Sequence, residues 1–247
     1  MAFFSTTATL EQPRVSRGKE GGGPPFFGGG GDDGPFKGGL PDFSTRLRRA
    51  RLGVLVALTP VLMLFVSFTS AYVVRQGLPT LDPETNLLVK DWIPVKLPTL
   101  LLVNTFVLVL SSIGMELARR QTKAQARAAL SGTQTLANTF TNSMPWLSMT
   151  LILGLLFLFG QWTAWKQLAA GGFYVSTTPS SSFVYLLTGT HAVHLMGGIL
   201  TLFAAGIASF LGINLLRRSI IVDVTAWYWH FMAVLWVYIF CLLKFAK

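Results

Sequence analysis

From residue 52 onward the chain alternates between long apolar runs and short polar connections. Five runs stand out, at residues 52–74, 97–117, 144–165, 183–211 and 222–245. Each is long enough to cross a bilayer, which takes roughly 20 helical residues at about 1.5 Å per residue. None shows the strict alternation of a half-buried strand, and the strands of a membrane barrel would be only about 9–11 residues long. The pattern predicts an all-α membrane protein, a bundle of five transmembrane helices. The fourth run is long enough to tilt or to project from the membrane. Pro60 predicts a kink in the first, because it deletes a backbone hydrogen bond.

Residues 1–45 break this pattern. Residues 20–39 read EGGGPPFFGGGGDDGPFKGG, and such a Gly/Pro stretch buries too little apolar surface to offset the entropy of ordering it. The expectation is a disordered tail on residues 1–45 followed by a transmembrane domain on residues 46–247. No apolar segment of signal-peptide type precedes residue 52. The glycine runs lack both the preceding strand and the following Lys-Ser/Thr of a phosphate loop.

Composition sharpens the class. Hydrophobic residues make up 51% of the 247 positions and charged residues 12%, against about 25% charged in a soluble domain. The net charge of +10 would suggest nucleic acid on a soluble protein. Here the cations are grouped. They crowd into the tail (Arg46, Arg48, Arg49, Arg51), the second connection (Arg119, Arg120, Lys123, Arg127) and the fourth (Arg217, Arg218). By the excess of Lys and Arg on cytoplasmic segments, the N-terminus is expected inside and the C-terminus outside. No nucleic acid partner is needed to explain the charge. Trp92, Trp146, Trp162 and Trp165 fall near span ends, where interface anchors belong. The single cysteine, Cys241, allows neither an internal disulfide nor a CxxC metal framework.

Ionisable groups inside a membrane are costly and point to function. Glu116 lies within reach of Arg119 and Arg120 on one helix face, which predicts a local ion pair. Asp223 opens the fifth run, where it suits either a helix cap or a specific partner. No run carries a carboxylate at mid-depth, which argues against a self-contained pump. His191 and His194 share one flank of the fourth run, and His230 lies in the fifth. A three-histidine metal site is conceivable, but no nearby carboxylate is expected to orient the rings. The alternative is hydrogen bonding between helices or to lipid headgroups. The same alternative is the expectation for Ser67, Thr69 and Ser70, for Asn104, Ser111 and Ser112, and for Gln161 and Thr163. Gly197, Thr201 and Ala205, in the row of Gly189, predict a face of close helix packing.

Several blocks resemble subunit III of the haem–copper oxidases. Ala226-Trp227-Tyr228-Trp229-His230-Phe231, followed by Trp236, is similar to the family's last-helix signature, and Asp223 stands where the family often carries an acid. Thr188-Gly189-Thr190-His191-Ala192-Val193-His194, then Gly197-Gly198, resembles its Thr-Gly-x-His-x-x-His block. Asn104-Thr105 with Ser111-Ser112, Gly160-Gln161 with Trp165, and Ala71-Tyr72 with Arg75 fit as well. The resemblance covers the chain from about residue 51 and is closest to the short, five-helix members. Three family carboxylates are replaced: Thr59-Pro60, Ala164 and Ala233 stand in their places.

The resemblance implies a non-redox accessory subunit of a respiratory terminal oxidase of the cytochrome c oxidase type. It implies no catalytic residue, cofactor or metal in this chain, with haem and copper in partner subunits. Subunit I would be the direct partner, with subunits II and IV in the same complex, in a bacterial inner membrane. Bound phospholipid is expected, with Arg119, Arg120, Arg217 and Arg218 as candidate headgroup ligands. His191, His194, Gly197, Trp229, His230, Trp236, Asn104, Gln161 and Asp223 would order the bundle. A paralogue serving a quinol oxidase or a nitric oxide reductase, and a stand-alone metal- or haem-binding membrane protein, are the alternatives.

Overall fold

The computed structural model describes residues 43–81, 88–89, 92, 98–130 and 143–245. All but the last three residues of the expected tail therefore lie outside the described residues. Five helices carry the fold: α1 (Phe43–Gly77), α2 (Leu100–Leu130), α3 (Met144–Ala170), α4 (Pro179–Phe210) and α5 (Leu215–Phe245). Each is long and apolar enough to span a membrane, so the protein is an integral membrane protein.

The helices outrun the apolar segments at their charged ends. Arg119, Arg120, Lys123 and Arg127 ride on the last turns of α2, and Arg217 and Arg218 on the first turn of α5. Lys, Arg, Gln and Ala propagate a helix well, so the hydrocarbon boundary and the helix boundary differ. The connections after α3 and α4 are correspondingly short, at residues 171–178 and 211–214. Gly172 (φ 82°) and Gly212 (φ 65°) supply the left-handed turn residues after α3 and α4. Thr178 caps α4 in a reciprocal bond with Ser181, and Pro179 opens the helix.

One element was not foreseen. Between α1 and α2, β1 (Thr80–Leu81) and β2 (Leu88–Val89) pair antiparallel, with Thr80 opposite Val89 and Leu81 opposite Leu88. Two-residue strands are too short to show alternation.

α2 packs on α3 and α5, and α4 on α3 and α5. α1 packs on α5 and α4 but makes no close backbone approach to α2, its neighbour in sequence. It buries Leu58, Phe65 and Tyr72, spaced seven residues apart, packs Val54, Val61 and Phe68 partly against the same core, and leaves its opposite face open. It continues unbroken through Pro60, with the Thr59 hydroxyl donating to the Leu55 carbonyl at 3.0 Å.

The close-packing face of α4 differs from expectation. Thr201 is exposed and Gly197 only half-buried. The buried stripe is instead His191, Leu195, Gly198, Leu202, Ala205 and Ser209. This stripe alternates steps of three and four residues, which holds one face of a 3.6-residue helix, whereas a strict four-residue row drifts around it. Gly198 is the true point of approach: a Cβ there would stand 3.0 Å from the Tyr228 ring and 3.3 Å from the Trp229 indole.

Candidate functional site

The polar residues of the bundle gather in two layers. One is ionic and joins the start of α1, the end of α2 and the start of α5. The other is aromatic and amide-rich and lies deeper, among α2, α3, α4 and α5.

The ionic layer centres on Asp223, whose side chain is 0% exposed. Arg51 of α1 grips it with two donors, Nε to Oδ2 at 2.7 Å and Nη2 to Oδ1 at 3.2 Å. Lys123 Nζ lies 2.6 Å and Arg119 Nε 3.3 Å from Oδ1, both from α2. The cap reading of Asp223 is thereby corrected. α5 begins at Leu215, so Asp223 stands two turns inside the helix and acts as the counter-ion of three cations. Arg119 carries the network on to Glu116, with Nη1 at 3.2 Å from Oε2. Arg120 closes it, Nε to Oε1 at 2.9 Å. The local ion pair expected at Glu116 is present.

Glu116 also does what no residue near the histidines in sequence could do. His230 Nε2 lies 3.4 Å from its Oε2, and His230 Nδ1 lies 2.6 Å from Ser112 Oγ. A neutral ring that donates through Nε2 is left to accept the Ser112 hydroxyl at Nδ1. So a carboxylate does orient this imidazole, supplied from α2 more than a hundred residues away. Ser112, Glu116, His230 and Ala233 line a groove of about 380 Å³ between α2 and α5, walled by Val109, Ile113, Val234 and Val237.

The four arginines expected at headgroups divide into two pairs. Arg218 is buried and donates to the Ser143 hydroxyl, tying α5 to the start of α3. Arg119 is shared between two carboxylates. Arg120, 73% exposed, and Arg217, also exposed, face outward.

In the deeper layer Trp229 is fully buried and its indole N–H donates to Ser111 Oγ at 3.2 Å, while Ser111 donates to the Thr150 carbonyl at 3.1 Å. This chain joins α5, α2 and α3. Gly154 makes room for the indole, since a Cβ there would stand 2.8 Å from its ring. Trp236 donates to Thr105 Oγ1 at 3.0 Å, meets Phe157 edge-to-face and leans at a tilt on His191, with ring centroids 4.9 and 5.0 Å away. Asn104 presses on Gly160, and Gln161 follows it, buried. Trp165 donates to Thr188 Oγ1 at 3.1 Å.

The three histidines occupy three different surroundings. His191 sits in the aromatic core, and His230 faces α2. His194 donates to its own helix at the Thr190 carbonyl (2.8 Å) and meets the Phe65 ring of α1 at 5.9 Å. Beside it Tyr228, which packs over Gly197, donates to the His194 carbonyl at 2.8 Å. The expected interhelical bonds from Ser67 and Thr69 are not made: both hydroxyls turn back on their own helix, to Met63 and Phe65.

A family model described as "Cytochrome c oxidase subunit III" matches residues 43–246. The chain belongs to the cytochrome c oxidase subunit III family. Among relatives, the "Probable cytochrome c oxidase subunit 3" of Mycobacterium tuberculosis (strain ATCC 25618 / H37Rv) is 29% identical over 106 residues, 41% of this chain and 50% of that protein. The "Cytochrome c oxidase subunit 3" of Triticum aestivum is 28% identical over 195 residues, 77% of this chain and 66% of that protein. The matches thus span half to two thirds of these relatives. Of the residues singled out by the resemblance, Asn104, Gln161, His191, Trp229 and Trp236 lie in the deeper layer, while Asp223 and His230 belong to the ionic one.

Sequence reasoning missed Arg51 and Lys123 as partners of Asp223, Ser143 as the partner of Arg218, and Gly154 and Gly198 as the seats of Trp229. A signal existed for the glycines, which interrupt apolar runs without any turn chemistry. A lone buried acid also demands a cation from somewhere, but not from a named helix.

Proposed function

We propose that this protein is a non-redox accessory subunit III of a respiratory haem–copper oxidase in a bacterial inner membrane, with the start of α1 on the cytoplasmic side. It lies against subunit I and stabilises it, with subunits II and IV in the same complex. Haem and copper belong to the partner subunits. The observation that carries the reading is how the family residues are used. Trp229, Trp236, His191 and His230 are engaged with other helices of the bundle, while the outer face of α1 is left apolar and uncovered. That is the economy of a scaffold. Arg120 and Arg217, the exposed pair, are the headgroup ligands for bound phospholipid, and Arg119 and Arg218 hold the bundle.

Purification in a mild detergent through a tag on this chain, with mass spectrometry of the proteins that co-purify, tests the reading. Oxidase subunits I and II and a haem Soret band are expected in the complex, and no Soret band on the partner-free chain. Stoichiometric haem or copper on the partner-free chain would overturn the proposal. Quinol oxidase or nitric oxide reductase subunits in their place would reassign the complex. His230→Leu is expected to loosen the complex and leave its haem spectrum unchanged.

A further inference from the structure

The deeper layer contains polar atoms that no protein group satisfies. Among the described residues, Asn104 Nδ2, both amide atoms of Gln161 and both ring nitrogens of His191 are buried without a hydrogen-bond partner. The three side chains are 4%, 1% and 0% exposed. Native interiors rarely tolerate this, and a bilayer offers no solvent to relieve it.

A chain of contacts links the three side chains. The Asn104 amide lies against Gly160, where a Cβ would stand 2.1 Å from Oδ1, and Gln161 is the next residue along α3. One turn to either side of Gln161 lie Phe157, which stacks on His191 at 6.0 Å, and Trp165, which bonds Thr188 one turn from His191. Gln161 is therefore held on the stripe of α3 that faces His191. Trp236 covers His191 and bonds Thr105, the neighbour of Asn104. Three helices thus bring orphan donors and acceptors toward an indole supplied by the fourth, α5.

We infer that Asn104, Gln161 and His191 form a resident water site in the core of the bundle. The chemistry selects this ligand. Amide N–H groups, an amide oxygen and a neutral imidazole are an uncharged mixture of donors and acceptors, so the ligand must both donate and accept. Each of the three side chains is buried, and water is the smallest ligand that does both. A buried water makes about three hydrogen bonds to such groups, and globular proteins hold roughly one per 27 residues. A cation would want a carboxylate, and among the described residues no group of three His, Cys, Asp or Glu side chains could hold a metal. Part of the family signature on α2, α3 and α4 then acts as a water cage. This inference is independent of which partners the protein has.

Hydroxyl-radical labelling by an X-ray pulse, read by mass spectrometry on the protein in its native membranes, tests it. Bound water makes radicals in place and marks the buried rings beside it. Trp236 is expected to be labelled, and Trp229, equally buried but bonded directly to Ser111, serves as the internal reference. Labelling of Trp236 no greater than that of Trp229 would overturn the inference. Gln161→Met keeps the volume and removes two of the orphan atoms. It is expected to lose most of the Trp236 label and to leave Trp229 unchanged. Retention of the full Trp236 label in that variant would also count against the site. If the variant does not fold, the comparison of the two tryptophans in the native protein decides alone.

Discussion

α1 and α5 are nearly matched in length, at 35 and 31 residues, and the membrane-spanning stretch of α1 is the more apolar of the two. Yet 44% of the most apolar window of α5 is buried inside the protein, against 11% of that of α1. Apolar content therefore reports the solvent a membrane helix faces, not its share of the core. In a bilayer the tails are as apolar as leucine, so packing shape and polar pairing decide which helix is central. α5 has both, in Trp229 on Gly154 and Gly198, and in Asp223, His230 and Trp236, each with a partner on another helix. α1 is held by a seam of Leu58, Phe65 and Tyr72 and by the Arg51 ion pair.

The sharpest way to test this contrast is to empty the centre. Trp229→Ala removes one of the two largest fully buried side chains and takes from the Ser111 hydroxyl the donor it accepts. It is expected to cost about 3–5 kcal/mol, read as a lower unfolding midpoint of the detergent-solubilised protein. Asp223→Ala attacks the link between the two regions. Its expected cost is about 2–3 kcal/mol, below the value for a fully enclosed pair because Arg51 is 36% exposed. The readout is α1 itself: cysteine cross-linking of its first turns to α5 is expected to fall, while cross-linking of α2 to α5 persists. The smallest effect is expected on the outer face of α1. Val56→Ala and Met63→Ala, both at exposed positions, are expected to change the stability of the isolated chain by no more than about 0.5 kcal/mol. The same pair is expected to weaken retention of the chain in its complex during mild-detergent purification. Large destabilisation of the isolated chain would mean that this face is internal after all.

Much of this contrast could be read in advance, but not all of it. The five runs and their helical state followed from length and from the absence of alternation. The family blocks located Trp229, Trp236 and His191, which the fold buries, and His230, which it holds half-buried against α2. Contact across distant helices was not legible. Nothing local to Asp223 names Arg51, which is 172 residues away, and nothing near His230 names Glu116. The four-residue row Gly197-Thr201-Ala205 looked like a packing face because small side chains permit close approach. The bulky indole of Trp229 chose Gly198 instead. Helix ends were misjudged for a related reason: apolar residues mark the hydrocarbon, while the hydrogen-bonded backbone continues into the charged flanks.

The choice of neighbours made by α1 has a consequence for biogenesis. Both helices it leans on, α4 and α5, are translated after it, and the carboxylate that clasps Arg51 follows it by 172 residues. α1 therefore enters the membrane before any of its packing partners exists. It can meet α4 first, and it gains its ion pair only once α5 is threaded. A ribosome stalled before Asp223 would leave α1 unclasped, and α5, which packs on α1, α2 and α4, is what fastens the inserted segments to one another.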